Sequence, residues 1–106
     1  MAYIFQVSFN ISASEISKLE IGGSIERTLG YLKTLLPSQT GFIDTRVLYS
    51  LDDEEKTYVV VVSEWNNWED LQNHRNSSLS EDKVLEEFQP HIKPEDLIIR
   101  VYGEVQ

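Results

Sequence analysis

Apolar and polar residues alternate strictly at the start of the chain, with Tyr3, Phe5, Val7, Phe9 and Ile11 on one face and Ile4, Gln6, Ser8 and Asn10 on the other. A period of two is the signature of a strand. Ser12 to Ser17 is a polar connector. Ile25, Leu29, Leu32 and Leu36 then recur at spacings of four, three and four behind Ser24, a candidate cap, and so predict a helix with one apolar stripe. Ile16 and Leu19 extend that stripe while Gly22 and Gly23 interrupt it, which leaves the helix start open. Pro37, Ser38 and Gly41 end it. A second strand follows from Phe42 to Leu51, with Ile43, Thr45, Val47, Tyr49 and Leu51 set against Phe42, Asp44, Arg46, Leu48 and Ser50. The run YVVVVSEW from Tyr58 to Trp65 is β-branched, too short for a membrane span and poor for a helix, so it predicts a central strand. Asn66 or Asn67 caps the next helix, which carries Glu69 and Asp70 in its first turn and Trp68, Leu71 and Arg75 at helical spacing. A short helix is expected from Ser80, burying Val84, Leu85 and Phe88 and stopping at Pro90. A last strand runs from about Leu97 to Val105.

The order strand, helix, strand, strand, helix, strand is the split βαβ arrangement, so the expected class is α+β: a ferredoxin-like fold with a four-stranded antiparallel sheet. Helices can cover only one face of that sheet. Yet Ile4, Leu48, Val60, Val62, Ile98 and Tyr102 lie opposite the face that the helices bury, and two-sided apolar strands imply two-sided cover. The expectation is a homodimer joined through its sheet faces. The alternative is that Leu48 and Ile98 are the scattered apolar residues that any monomer exposes.

The 106 residues suffice for one domain, residues 1–106, and 41% hydrophobic with 25% charged residues is the composition of a chain that folds. The absence of cysteine excludes disulfides, thiolate nucleophiles and zinc ribbons. A net charge of −9 repels phosphate backbones and anionic bilayers, so neither nucleic acid nor membrane is an expected partner. The alternating start carries no basic leader, and a cytoplasmic protein is expected. The carboxylates Asp52, Asp53, Glu54 and Glu55 lack the spaced ligands and glycine of a calcium loop and mark a hairpin tip. The two histidines, His74 and His91, are too far apart in sequence to suggest a transition-metal site, and no glycine-rich phosphate loop or nucleophile elbow is present.

What remains is a short set of candidates. His74, on the second helix, is the histidine placed to transfer protons, or else a helix-end residue bonded to backbone. Trp65 and Trp68 either line a slot for a flat aromatic molecule or plug the core. Asn10, on the more polar face of the first strand with Ser8 and Gln6, either orients a substrate oxygen or pairs across the sheet or a dimer interface. Tyr49 joins Trp65, Trp68 and Asn10 as a ligand-contacting candidate.

The N-terminal strand, the apolar helix, Gly41-Phe42 opening the second strand, and the Glu64-Trp65 strand end followed by a helix carrying His74 resemble the dimeric α/β-barrel proteins of the antibiotic biosynthesis monooxygenase (ABM) type over nearly the whole chain. The resemblance implies a ferredoxin-like protomer, a dimer, and a pocket between sheet and helices. In characterised members that pocket oxidises polycyclic aromatic compounds with molecular oxygen and no cofactor, or degrades haem bound through a helix histidine. For this chain it implies a cofactor-independent monooxygenase acting on a small aromatic or quinone-like molecule, with His74 as base. A non-catalytic dimer of the same fold with a small hydrophobic ligand is the alternative, and a haem-binding protein a second. The haem-degrading pattern is matched poorly, since Val7 stands where that branch has a strand asparagine, His74 where it has a helix tryptophan, and His91 directly follows Pro90.

Overall fold

The alternating segments pair into one antiparallel sheet of four strands, β1 (Tyr3–Ser12), β2 (Phe42–Tyr49), β3 (Lys56–Trp65) and β4 (Ile98–Gly103), in the order β2-β3-β1-β4. This computed structural model describes residues 2–15, 27, 30–77 and 93–105. The two most apolar strands, β1 and β3, take the centre and run side by side from Tyr3 opposite Trp65 to Ser12 opposite Lys56. Alternation decides which side chains reach the core. Phe5, Val7, Phe9 and Ile11 of β1 and Val59, Val61 and Trp65 of β3 are buried on one face, where Leu32, Leu36 and Leu71 pack against them. This is the α+β, ferredoxin-like arrangement that the order of elements predicts.

Leu32 and Leu36 come from the first predicted helix, of which residues 30–35 are helical and run on into a 3-10 turn at Leu36–Ser38 that holds Pro37 at its start. Ser24, Ile25 and Leu29, like the helix expected after Ser80, lie outside the described residues. The second helix spans Trp68–Arg75 and buries Leu71 and His74. Its cap is Asn67, whose side-chain oxygen accepts a hydrogen bond from the Asp70 backbone N–H at 2.9 Å while its amide donates to Asp70 Oδ2 at 2.8 Å. Asn66, the other candidate cap, instead donates its backbone N–H to the Gly41 carbonyl at 2.8 Å and ties the helix entry to the start of β2.

The elements differ from the sequence expectation at several points, among them the start of β3, which takes in Lys56 and Thr57. In β2, Phe42 pairs with Trp65 but Asp44 pairs with Glu64, so a bulge lies between them. The extra residue turns Phe42 onto the core face with Thr45 and Val47 and leaves Ile43 49% exposed, the reverse of simple alternation. Leu51 is not in the strand and is 88% exposed in the hairpin loop. There Asp53 Oδ1 accepts from the backbone N–H groups of Glu55 and Lys56 at 2.8 and 3.2 Å, so this acid shapes the turn. The last strand is shorter than expected, ending at Gly103.

The face of the sheet turned away from the described helical segments carries Leu48, Val60, Ser8 and Ile98 as one row across all four strands. Leu48 and Ile98 are 54% and 44% exposed.

Candidate functional site

Trp65 ends β3 and points into the core, and three residues later the chain is already a helix, so His74 comes to lie directly over the strand end. Its ring stacks on Trp65 with centroids 4.3 Å apart and planes 24° from parallel, and meets Phe5 edge-on at 5.9 Å. Trp65 is held in turn by its indole N–H, which donates to Ser63 Oγ at 2.8 Å, and by the edge of Phe42 at 5.6 Å. Packing on these sides fixes the plane of the imidazole. In its own plane the ring meets Gln39, whose Oε1 lies 2.9 Å from His74 Nδ1.

Gln39 belongs to the turn between the first helix and β2. Its backbone N–H donates to the Leu36 carbonyl at 2.9 Å and its carbonyl accepts from Phe42 at 3.3 Å, so the residue cannot drift. Two residues on, Gly41 has φ +82°, a left-handed conformation that favours glycine. Glycine is required there for space as well, because a β-carbon would lie 2.6 Å from Cβ and Cγ of Asp70. The turn is thereby pressed against the first turn of the second helix. Between them opens a cleft of about 410 Å³ lined by Gln39, Thr40, Asp70, Asn73, His74 and Ser77, with Ser38 at its margin. Hydroxyls and amides dominate this lining, which suits a small ring bearing oxygen substituents.

The structure brings His74 and Trp65 together, and Trp65 is fully buried, so it supports the histidine from the core. Trp68 is half exposed and meets Tyr3 edge-on at 5.9 Å. Tyr49, 46% exposed, pairs with Val59, six residues before Trp65 and thus about 20 Å along the sheet. Asn10 is on the opposite face, where it borders a smaller hollow of about 180 Å³ with Gln6, Ser8, Tyr58, Val60 and Asp96. Neither Tyr49 nor Asn10 shares a site with His74. Gln39 was not a sequence candidate, because a polar residue in a Pro-Ser-Gln-Thr-Gly turn carries no signal of what its side chain will meet.

The residues do not fit haem. His74 is 1% exposed with its ring stacked on Trp65, which is not the open histidine that an axial haem ligand requires, and His91 lies outside the described residues. No group of three or more potential metal ligands occurs among the described residues, and no helix among them is long and apolar enough to cross a membrane.

Residues 25–93 match the family model described as antibiotic biosynthesis monooxygenase. No curated protein sequence matches the chain. Among solved structures it is similar to a candidate antibiotic biosynthesis monooxygenase from Bacillus cereus, with a TM-score of 0.67 and 24% identity over 97% of this chain and 90% of that one. It is also similar to one from Deinococcus radiodurans, with a TM-score of 0.68 and 14% identity over 98% and 93% of the two chains. SnoaB, a cofactor-independent oxygenase from Streptomyces nogalater, aligns with a TM-score of 0.61 and 12% identity over 99% of this chain and 94% of that one. At such identities the likeness is one of fold.

Proposed function

The chain belongs to the antibiotic biosynthesis monooxygenase family, and on that premise we propose that it oxidises a small phenolic aromatic molecule with dioxygen, without a cofactor, as a homodimer joined through its sheet faces. The observation that carries this reading is His74 in the wall of a polar cleft. With Gln39 Oε1 2.9 Å from Nδ1, this reading gives the role of base to the unprotonated nitrogen of the ring. That nitrogen takes the phenolic proton. The resulting phenolate is electron-rich at the carbon para to oxygen, which bonds to dioxygen. Loss of the C–H proton and cleavage of the O–O bond then give a para-quinone and water, with every electron drawn from the substrate. The cleft volume lies within the usual range for small-molecule sites.

Near-complete burial of His74 favours a second reading, in which the histidine and Trp65 only plug the core of a non-catalytic, ligand-binding dimer. Oxygen uptake with α-naphthol as probe separates the two. Replacing His74 by glutamine, which keeps a polar group beside Gln39, should lower uptake by about 100-fold or more, the usual contribution of a general base, without changing the mass in solution. Wild-type uptake in that folded variant would refute the role of His74.

A further inference from the structure

The smaller hollow lies on the sheet face opposite the His74 cleft. Gln6, Ser8 and Asn10 project into it from alternate positions of β1, Tyr58 stands opposite Asn10 on β3, and Asp96 reaches it from the 3-10 turn Pro94–Asp96 that leads into β4. The backbone N–H of Asp96 donates to the Lys93 carbonyl at 2.9 Å, which holds the turn closed. Around these groups the surface is apolar, with Val60 and Ile98 on either side of Ser8. The three β1 side chains are half-buried, as is Asp96. Among the described residues none of them, nor the Tyr58 hydroxyl, makes a side-chain hydrogen bond or ion pair. Polar groups that serve only to brace a fold are bonded within it. Pairing of two sheets through this face would also take these groups from water, at a cost for each bond left unmade.

We propose that this hollow binds a small organic ammonium ion, with Asp96 as its counter-ion. An ammonium group only donates, and each polar group in the lining has an oxygen that accepts: the Asp96 carboxylate, the side-chain amides of Gln6 and Asn10, and the hydroxyls of Ser8 and Tyr58. The Tyr58 ring adds a face that attracts a cation. Asp96 is the one charged group in the lining. Lys56, Arg46 and Arg100 stand on the same face by register, but none of them borders the hollow, and Arg46 is paired with Glu64. An anion would meet an unshielded carboxylate, and a neutral ligand would leave it unmatched, whereas an ammonium forms the stronger, charge-assisted bond. The volume of about 180 Å³ exceeds what a single water needs and falls below the usual range for drug-sized ligands, so the ion is small. Where two sheets pair, the bound ion would offset a carboxylate that pairing otherwise leaves uncompensated. None of this depends on the chemistry of His74.

The test is an NMR titration of the isotope-labelled, full-length protein with ethanolamine, and with ethylene glycol as the uncharged molecule of the same shape. Ethanolamine should give saturable shifts at the backbone amides of Ser8, Asn10 and Asp96, and ethylene glycol at the same concentration should give none. Asp96→Asn, which keeps the shape and removes the charge, should weaken binding by at least about tenfold. Asp52→Asn, which removes the same charge from the exposed hairpin tip, should leave it unchanged. Absence of saturable shifts, equal shifts from the glycol, or equal weakening in both variants would overturn the proposal, the last by showing general attraction to a chain of net charge −9. The comparison of amine with glycol on the wild type decides the matter by itself if Asp96→Asn does not fold. Amine-specific binding at the solution mass of a single chain would refute the paired sheets and leave the site in place. A dimer without amine-specific shifts would refute the site and leave the pairing.

Discussion

At the scale of single residues, the site depends on one histidine that the sequence points to and on two neighbours it treats very differently. His74 is legible because it is one of two histidines and falls on an amphipathic helix right after a strand end. Trp65 is legible as a core residue, but its stacking on His74 depends on how the helix sits over β3, which no spacing specifies. Gln39 is illegible, since its role arises from a contact across 35 positions of sequence. Gly41 lies between these cases. A glycine after Pro-Ser-Gln-Thr signals a turn, and the structure adds that a side chain there would strike Asp70. Gly41→Ala should therefore destabilise the fold by about 1–3 kcal/mol, the usual cost of a strained backbone position, read as a lower urea midpoint with an unchanged slope. Because the same turn carries Gln39, the variant should also loosen His74. An alanine variant as stable as wild type would show that the turn is not pressed against the helix.

The elements follow from local chemistry wherever one face is strongly apolar. Period-two alternation is enough to define β1 and β3, and the runs of Phe5 to Ile11 and Val59 to Trp65 are buried as that alternation requires. It breaks down at the start of β2, where a bulge moves Phe42 to the core beside Trp65. A strand apolar on both faces gives no local reason to choose, and the choice is made by the aromatic contact. The helix Trp68–Arg75 shows a similar limit. Two adjacent asparagines are equal as caps by type, and geometry separates them: Asn67 caps through its side chain, Asn66 bonds through its backbone. Asn67→Ala should cost about 1 kcal/mol in denaturant unfolding, whereas Asn66→Ala keeps its backbone bond and should be close to neutral. Equal losses in both variants would contradict that assignment.

At the scale of the whole molecule, the fold leaves one layer uncovered among the described residues. Leu48, Tyr58, Ile98 and Tyr102 are each more than 40% exposed on the same face of the sheet, with Val60 and Val62 between them. The ion pair of Arg46 with Glu64 at 3.6 Å sits within the same face, so its charge there is partly matched within one copy. A second copy related by a two-fold axis would bury this apolar row on both sides at once. Two chains of net charge −9 repel each other, so the pairing should tighten as salt screens them. Two-sided strands made this surface legible in the sequence; what covers it depends on another molecule and no single chain contains it. The proposed enzyme is a pair of sheets enclosed between them, with a His74 cleft on the outer side of each. Light scattering on the purified protein tests that most directly. The expected mass is about twice 12.3 kDa, reduced toward a single chain when Val60 is replaced by arginine; a wild type that stays at 12.3 kDa at every protein concentration and in added salt would contradict the account.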